Sequence, residues 1–241
     1  MRYWRPTASE VVVRLKEYNP NKIILLPLYP QFSSATSGSS LQDFVSRIPR
    51  EIPTKIICCY PSDPDFASAH SRLIKQTISR KNLAELRLLF SAHGLPQSVV
   101  DAGDPYVFQV QKTVEMVLKD FPSETDFKIC YQSKVGIKSW TKPSLEQELR
   151  RAQLDNKIPV IVPISFVSEN SETLFELDIF YKNQFKNLLR VPALNSEGFF
   201  IKALTEICRA ASTNDSSNIF CGRNLQRICD KNLKFCPNSN C

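Results

Sequence analysis

The sequence predicts an α/β fold built on parallel sheet. Short apolar runs rich in β-branched residues recur between residues 22 and 166, and amphipathic segments of helical period separate them. Polar and turn-forming residues gather after these runs. Such alternation marks βα units, in which helices cover both faces of a parallel sheet and ligands bind beyond the carboxyl ends of the strands.

Taken in order, strands are expected at Lys22–Leu28, Thr54–Tyr60, Leu86–Ser91, Phe127–Gln132 and Ile158–Phe166. Helices are expected at 8–19, 38–48, 66–81, 105–119 and 144–155. A boundary near 82 divides a leading unit of two strands, thin for a domain, from a following unit of three. Helical patterning continues over 171–190 and from Ser196 to Ala210, in the manner of closing helices that return across a domain junction. Ala211–Asn218, dominated by Ser, Thr, Asn and Asp, reads as a linker.

Apolar residues at 42% and charged residues at 23% fit a globular protein and argue against extended disorder. No apolar run approaches the ~20 residues of a membrane-spanning helix, and the start, Met1-Arg2-Tyr3-Trp4-Arg5-Pro6, lacks the apolar segment of a secretory signal. A reducing, cytosol-like compartment is therefore expected. The net charge of +7 is spread along the chain without a basic block or interleaved aromatics, which argues against nucleic acid as a partner.

Two segments carry the candidate chemistry. In Leu86-Arg-Leu-Leu-Phe-Ser-Ala-His93-Gly-Leu-Pro96 an imidazole ends a strand, where Gly94 and Pro96 turn the backbone. An imidazole there can exchange protons at neutral pH, or it can be a turn histidine with a structural hydrogen bond. The other histidine, His70, falls within a helical pattern beside Arg72 and Lys75 and is expected to be solvated.

In Ser168-Glu-Asn-Ser-Glu172-Thr-Leu-Phe-Glu176-Leu-Asp178, Glu169, Glu172 and Glu176 are spaced to share one face of a helix. Among apolar neighbours such acids can share protons or take a cation. Helix-start capping accounts for Glu169, and for Glu172 as an alternative, but not for Glu176. The set matches no stable metal motif; oxygen donors with one imidazole suit a divalent ion held loosely.

Arg2, Tyr3, Tyr29, Lys134 and Trp140 stand where an anion or flat aromatic ligand could meet them, Trp140 best placed as an apolar wall. Each also has an ordinary reading as a surface or packing residue. Gly38 in Thr36-Ser-Gly-Ser-Ser40 suggests a small anion-binding turn, but the P-loop lysine and the Rossmann glycine pattern are both missing.

Together with Tyr29-Pro-Gln-Phe-Ser-Ser-Ala-Thr-Ser-Gly38, Gly103-Asp-Pro-Tyr106 and Tyr131-Gln-Ser-Lys-Val-Gly136, these segments resemble the ferrochelatases across residues 1 to about 210. The resemblance implies a chelatase-like arrangement of two Rossmann-like parallel-sheet domains with a porphyrin in the cleft between them. The first domain is expected to be truncated, because the family's opening βα units precede the point where this sequence starts. The implied division is 1–82, 83–175, closing helices over 176–210, and a tail over 211–241. The implied reaction is insertion of Fe(II) into protoporphyrin IX. Coproporphyrin III, another divalent metal such as cobalt, or a porphyrin-binding protein of impaired activity are the alternatives. The resemblance makes His93 the catalytic histidine, Glu172 and Glu176 the acidic pair, His93 and Glu172 contacts of the substrate iron, and Arg2, Tyr3, Tyr29, Lys134 and Trp140 pocket residues. Asn170 departs from the pattern, standing where many relatives have a second histidine.

Eight cysteines include four in the polar tail: Cys221, Cys229, Cys236 and Cys241. Four thiolates can bind zinc or a [2Fe–2S] cluster, or remain free or pair as disulfides, and neither usual paired spacing is present. Some ferrochelatases carry a C-terminal [2Fe–2S] cluster, and this tail resembles theirs, with Ser34 at the place of an early ligand. The resemblance also implies peripheral membrane association and a homodimer. It implies a cytoplasmic or membrane-peripheral site in a bacterium, or the matrix side of the mitochondrial inner membrane in a eukaryote.

Overall fold

The computed structural model describes residues 5–134, 136, 139–223 and 225–238. Along the chain they form α1 (Ala8–Tyr18), β1 (Ile23–Leu25), a π turn (Ser34–Gly38) that leads into α2 (Ser39–Val45), β2 (Thr54–Cys59) and α3 (Pro64–Ile78). There follow β3 (Leu86–His93), α4 (Gln97–Asp101), α5 (Tyr106–Leu118), β4 (Phe127–Gln132), α6 (Leu145–Leu154) and β5 (Ile158–Pro163). A ten-residue π-helix (Glu172–Tyr181) runs into α7 (Lys182–Gln184), then come β6 (Leu189–Arg190), α8 (Gly198–Thr213) and β7 (Ile219–Cys221).

Helix starts follow local chemistry. Thr7 with Glu10, and Ser144 with Gln147, form reciprocal capping boxes at α1 and α6. Asp63 accepts from the N–H groups of Asp65 and Phe66 at α3, with Pro64 in the first turn.

Two wholly parallel sheets result, in the orders β1-β2-β7 and β4-β3-β5-β6. β3 lies inside the second sheet, and its alternate residues feed opposite cores. Leu88, Phe90 and Ala92 pack with Val110, Val114 and Ile74, whereas Leu89 packs with Cys130, Leu149, Ile161, Leu177 and Tyr181. Burial on both faces is why these strands read as continuous apolar runs.

α3 is shared between the sheets. Ala67, Ile74 and Ile78 join the core of the second sheet, while Phe66 and Ala69 join Ile57, Phe200, Ile207 and Phe220 in that of the first. Full burial of each such aliphatic or aromatic side chain contributes about 1.5–3 kcal/mol, so α3 fastens the halves together.

The structure corrects four expectations. The leading sheet has three strands, because β7, beyond the expected linker, pairs with β2; Phe220 is completely buried there. The linker itself is short: α8 continues to Thr213, and an Asn214–Ser216 turn leads into β7. The helical reading of 171–190 ends early, since Asn187 takes a left-handed conformation (φ 60°) and Leu189–Arg190 pairs with β5. Finally, His70 is buried. α3 packs on α5 and α8 at once, leaving no solvated stripe at that position, and the His70 ring stands edge-on to Phe66 at 4.9 Å. Burial lowers its pKa to about 3.

Candidate functional site

His93 ends β3, and the chain turns away immediately through Gly94. A Cβ on Gly94 would lie 3.1 Å from both the Gln132 carbonyl and the Trp140 ring, so the close approach of Trp140 to this turn favours glycine. His93 Nδ1 lies 2.7 Å from Gly94 O. A carbonyl oxygen can only accept, so Nδ1 carries the proton and the neutral ring presents the Nε2 lone pair. Nε2 is 3.7 Å from Glu172 Oε1, and both side chains are 40% exposed. The structural hydrogen bond thus fixes the tautomer and leaves Nε2 able to exchange a proton.

Glu172 begins the π-helix, a rare i→i+5 form that concentrates at functional sites. Asn170 Oδ1 accepts from the N–H groups of Glu172 and Thr173, so the residue that departs from the family pattern serves as a cap. Glu176 is held by Ser133 N (3.1 Å), Ser133 Oγ (2.7 Å) and Gln132 Nε2 (3.3 Å). Gln132 is oriented in turn by Ser91, whose hydroxyl donates to Gln132 Oε1 at 2.6 Å.

The expected stripe of three acids contains two. Glu169 precedes the helix and pairs with Arg190 at 2.5 Å, while Ala193 N–H also donates to it. Burial acts to raise the Glu169 pKa, but bonds from Thr173, Arg190 and Ala193 outweigh it and hold the carboxyl below its usual range. Arg190 also pairs with Asp178, gripping the π-helix from within and from before its start.

Two cavities meet at Glu172. One, of about 540 Å³, is lined by Tyr29, His93, Leu95, Trp140, Phe166 and Glu172. The other, of about 900 Å³, includes Lys134, Trp140, Glu146, Phe175, Glu172 and Glu176. Tyr29, His93, Lys134, Trp140, Glu172 and Glu176 are thus gathered around one cleft beyond the carboxyl ends of β3 and β4. Arg2 and Tyr3 lie outside the described residues. Gly38 sits against Phe32, where a Cβ would come within 2.9 Å of the ring; this tight packing accounts for glycine there.

Sequence reasoning missed a buried polar network beneath the cleft. Asp104 Oδ2 accepts from Ser33 Oγ, Ser34 N and Ser34 Oγ, and its Oδ1 accepts from Tyr106 N. Gln109 Oε1 accepts from Phe32 N at 2.7 Å, and Gln31 donates to Thr113 Oγ1 and Ile164 O. The Gly103-Asp-Pro-Tyr106 segment thereby anchors the loop that carries Tyr29. Only its polar residues, set against an apolar helix, hinted at this.

The tail cysteines meet a pair that the sequence had not connected with them. Cys58 Sγ lies 3.4 Å from Cys59 Sγ and 3.3 Å from Cys221 Sγ, and the three sulfurs fall within 4.8 Å of one another. Interaction with Cys236 draws the Cys221 thiol down and pushes the Cys229 thiol up. All five are buried, and Gln109 Nε2 and Asn238 Nδ2 donate to Cys229 and Cys221 respectively. Bonds from Cys221 and Cys59 draw the Cys58 thiol down to about 6, while the same contacts push Cys59 up. Clustered buried thiols with N–H donors to sulfur fit a thiolate-bound metal centre. This polar tail is nonetheless held in the core, because β7 pairs with β2 and Gln109 of α5 bonds Cys229. Cys241 lies outside the described residues, and Ser34 is turned to Asp104.

Among the described residues no helix is long and apolar enough to cross a membrane. Comparison with known proteins gives a consistent result. A family model described as ferrochelatase matches residues 1–212. The ferrochelatase of Rickettsia prowazekii (strain Madrid E) is 47% identical over 241 residues, covering 98% of this chain and 70% of that protein. That of Wolbachia sp. subsp. Drosophila simulans (strain wRi) is 45% identical over 216 residues, covering 86% of this chain and 68% of that protein. In fold the chain is similar to SirB from Bacillus subtilis with Fe3+, with a TM-score of 0.62 at 13% identity over 88% of this chain and 79% of that one. Family model, relatives and parallel-sheet architecture agree: the chain belongs to the ferrochelatase family.

Proposed function

We propose that this chain inserts Fe(II) into protoporphyrin IX, forming haem and releasing two protons, with His93 as the group that takes a pyrrole proton. The observation that carries the assignment is the His93 Nε2 lone pair, presented to an apolar-walled cavity and backed by Glu172 at 3.7 Å. Leu95, Trp140 and Phe166 face the macrocycle, while Lys134 suits the carboxylates at its rim, with Arg2 and Tyr3 as further pocket residues. Tyr29 completes the wall on the side of the first sheet.

Metallation requires both pyrrole N–H protons to leave as iron enters. His93 accepts one at Nε2, and the adjacent carboxylate stabilises the imidazolium that forms. Glu172 borders both cavities and Glu176 borders the larger. This pair suits protons leaving the cleft and Fe(II) arriving, with His93 and Glu172 nearest the iron at insertion.

An anaerobic assay with Fe(II), run on protoporphyrin IX and coproporphyrin III, tests the reading. Protoporphyrin is metallated faster, and His93→Ala abolishes most of the rate in a folded protein. Preference for coproporphyrin refutes the assigned substrate, and a near-parental rate in the variant refutes the assigned base.

The thiol site is proposed to hold a [2Fe–2S] cluster, which when bound supplies a one-electron centre. Iron and acid-labile sulfide in equal amounts, with visible absorption from the anaerobically purified protein, are expected; zinc in their place refutes this. The net charge of +7 and the exposed Leu174, Phe175, Ile179 and Phe180 support peripheral membrane association, measurable by sedimentation with anionic vesicles. The family resemblance supports a homodimer, which sedimentation equilibrium checks.

A further inference from the structure

We infer that Cys58, at the carboxyl end of β2, is a ligand of that cluster, completing a four-thiolate set with Cys221, Cys229 and Cys236 in place of its neighbour Cys59. The inference rests on the cluster reading above and adds which segments of the chain hold it.

Successive side chains of a strand point to opposite faces, so vicinal cysteines do not ordinarily serve one site. Here the register between β2 and β7 shifts between Ile57 and Cys59, leaving Cys58 as the residue without a partner in the ladder. Irregularities of this kind re-aim a side chain. The Cys58 sulfur reaches Cys221 at 3.3 Å. Cys59 instead keeps its ladder position opposite Cys221. Cys58 and Cys221 are thus paired at 3.3 Å, and Cys221 interacts in turn with Cys236, and Cys236 with Cys229.

Three further features suit this set to a buried cluster. Cys58, Cys221, Cys229 and Cys236 are each no more than 6% exposed. Gln109 and Asn238 supply N–H donors to two of the sulfurs, the kind of outer contact that fixes ligand orientation and tunes a cluster. Arg223 fastens the intervening tail by pairing with Asp63 and Asp65 at the start of α3. One ligand then comes from the folded core and three from the tail.

The test uses full-length protein purified anaerobically, with Cys58→Ser, Cys59→Ser and Cys241→Ser compared for iron, acid-labile sulfide and visible absorption. Cys58→Ser is expected to lose most of the iron and sulfide, or to retain a cluster whose spectrum is shifted by an oxygen ligand. Cys59→Ser and Cys241→Ser keep the parental content and spectrum. Loss in Cys241→Ser or Cys59→Ser together with an unchanged Cys58→Ser overturns the ligand assignment while leaving the cluster reading intact. A parent without iron and sulfide overturns both.

Should Cys58→Ser fail to fold, alkylation of the parent before and after chelation, read by mass spectrometry, decides the matter. Cys58 is expected to gain reactivity together with Cys221, Cys229 and Cys236. Continued protection equal to that of Cys130, buried in the other sheet, overturns the assignment.

Discussion

Gln109 joins Cys229 to the loop beside the catalytic cleft: its Nε2 donates to Cys229 Sγ at 3.1 Å while its Oε1 accepts from Phe32 N at 2.7 Å. A single amide on α5 thus fixes both the tail and the segment that follows Tyr29. Gln109→Leu leaves the buried Phe32 N–H without an acceptor, at a cost of about 1–3 kcal/mol. The expected kinetic consequence is a raised KM for porphyrin with a smaller change in kcat, measured by steady-state metallation. A change confined to kcat speaks against a role in holding the loop.

In the cleft, His93→Ala removes the proposed proton acceptor, and metallation is expected to fall by about a hundredfold or more. Glu172→Gln keeps the shape but loses the charge beside the imidazole, so its loss is smaller yet clear. Rates measured at saturating porphyrin and iron separate these effects from binding. Equal rates for parent and Glu172→Gln contradict the pairing of the two groups.

Arg190 tests the mounting of the acidic pair. Its side chain bonds Glu169 and Asp178 and is itself nearly buried. Arg190→Met leaves Glu169 without its cation and Asp178 with Lys182 alone, and is expected to cost about 3 kcal/mol. Displacement of the π-helix lowers metallation about tenfold or more, although Arg190 touches no substrate. Urea unfolding and kinetics on the same preparation check both.

His70 predicts a pH dependence of stability. The unfolded side chain binds a proton near pH 6.5, whereas the folded one does so only near pH 3. Between those values the unfolded chain carries more protons, so stability is full above about 6.5 and falls as pH drops toward 3. The contribution lost between pH 7 and pH 5 is about 2 kcal/mol. Urea unfolding of His70→Leu at both values is expected to show a smaller loss than the parent by about that amount. An unchanged loss contradicts burial of a neutral imidazole.

Much of the second sheet was legible in the sequence because its strands are buried on both faces, and Phe127–Gln132 was delimited to the residue. The placement of His93 followed from the same logic, a polar residue at a strand's carboxyl end before a turn. Contacts between distant segments were opaque. Nothing local to Cys58 announces Cys221, and the polar tail hides Phe220, whose burial depends on a strand far upstream. His70 misled for a related reason: flanking cations suggested a solvated helix, but α3 is enclosed on two sides. The π-helix left no signature in periodicity, because Glu172 and Glu176 are compatible with either helical form.

β7 closes against β2 across 163 residues, the separation of Cys58 and Cys221. During synthesis β1 and β2 therefore leave the ribosome long before the third strand of their sheet exists, while every strand of the other sheet is already available. The second sheet can mature first and act as a platform, with α3 already attached to it. Pairing across so long a loop is intrinsically slow. The edge of β2 that β7 covers is consequently in need of protection from aggregation until β7 arrives.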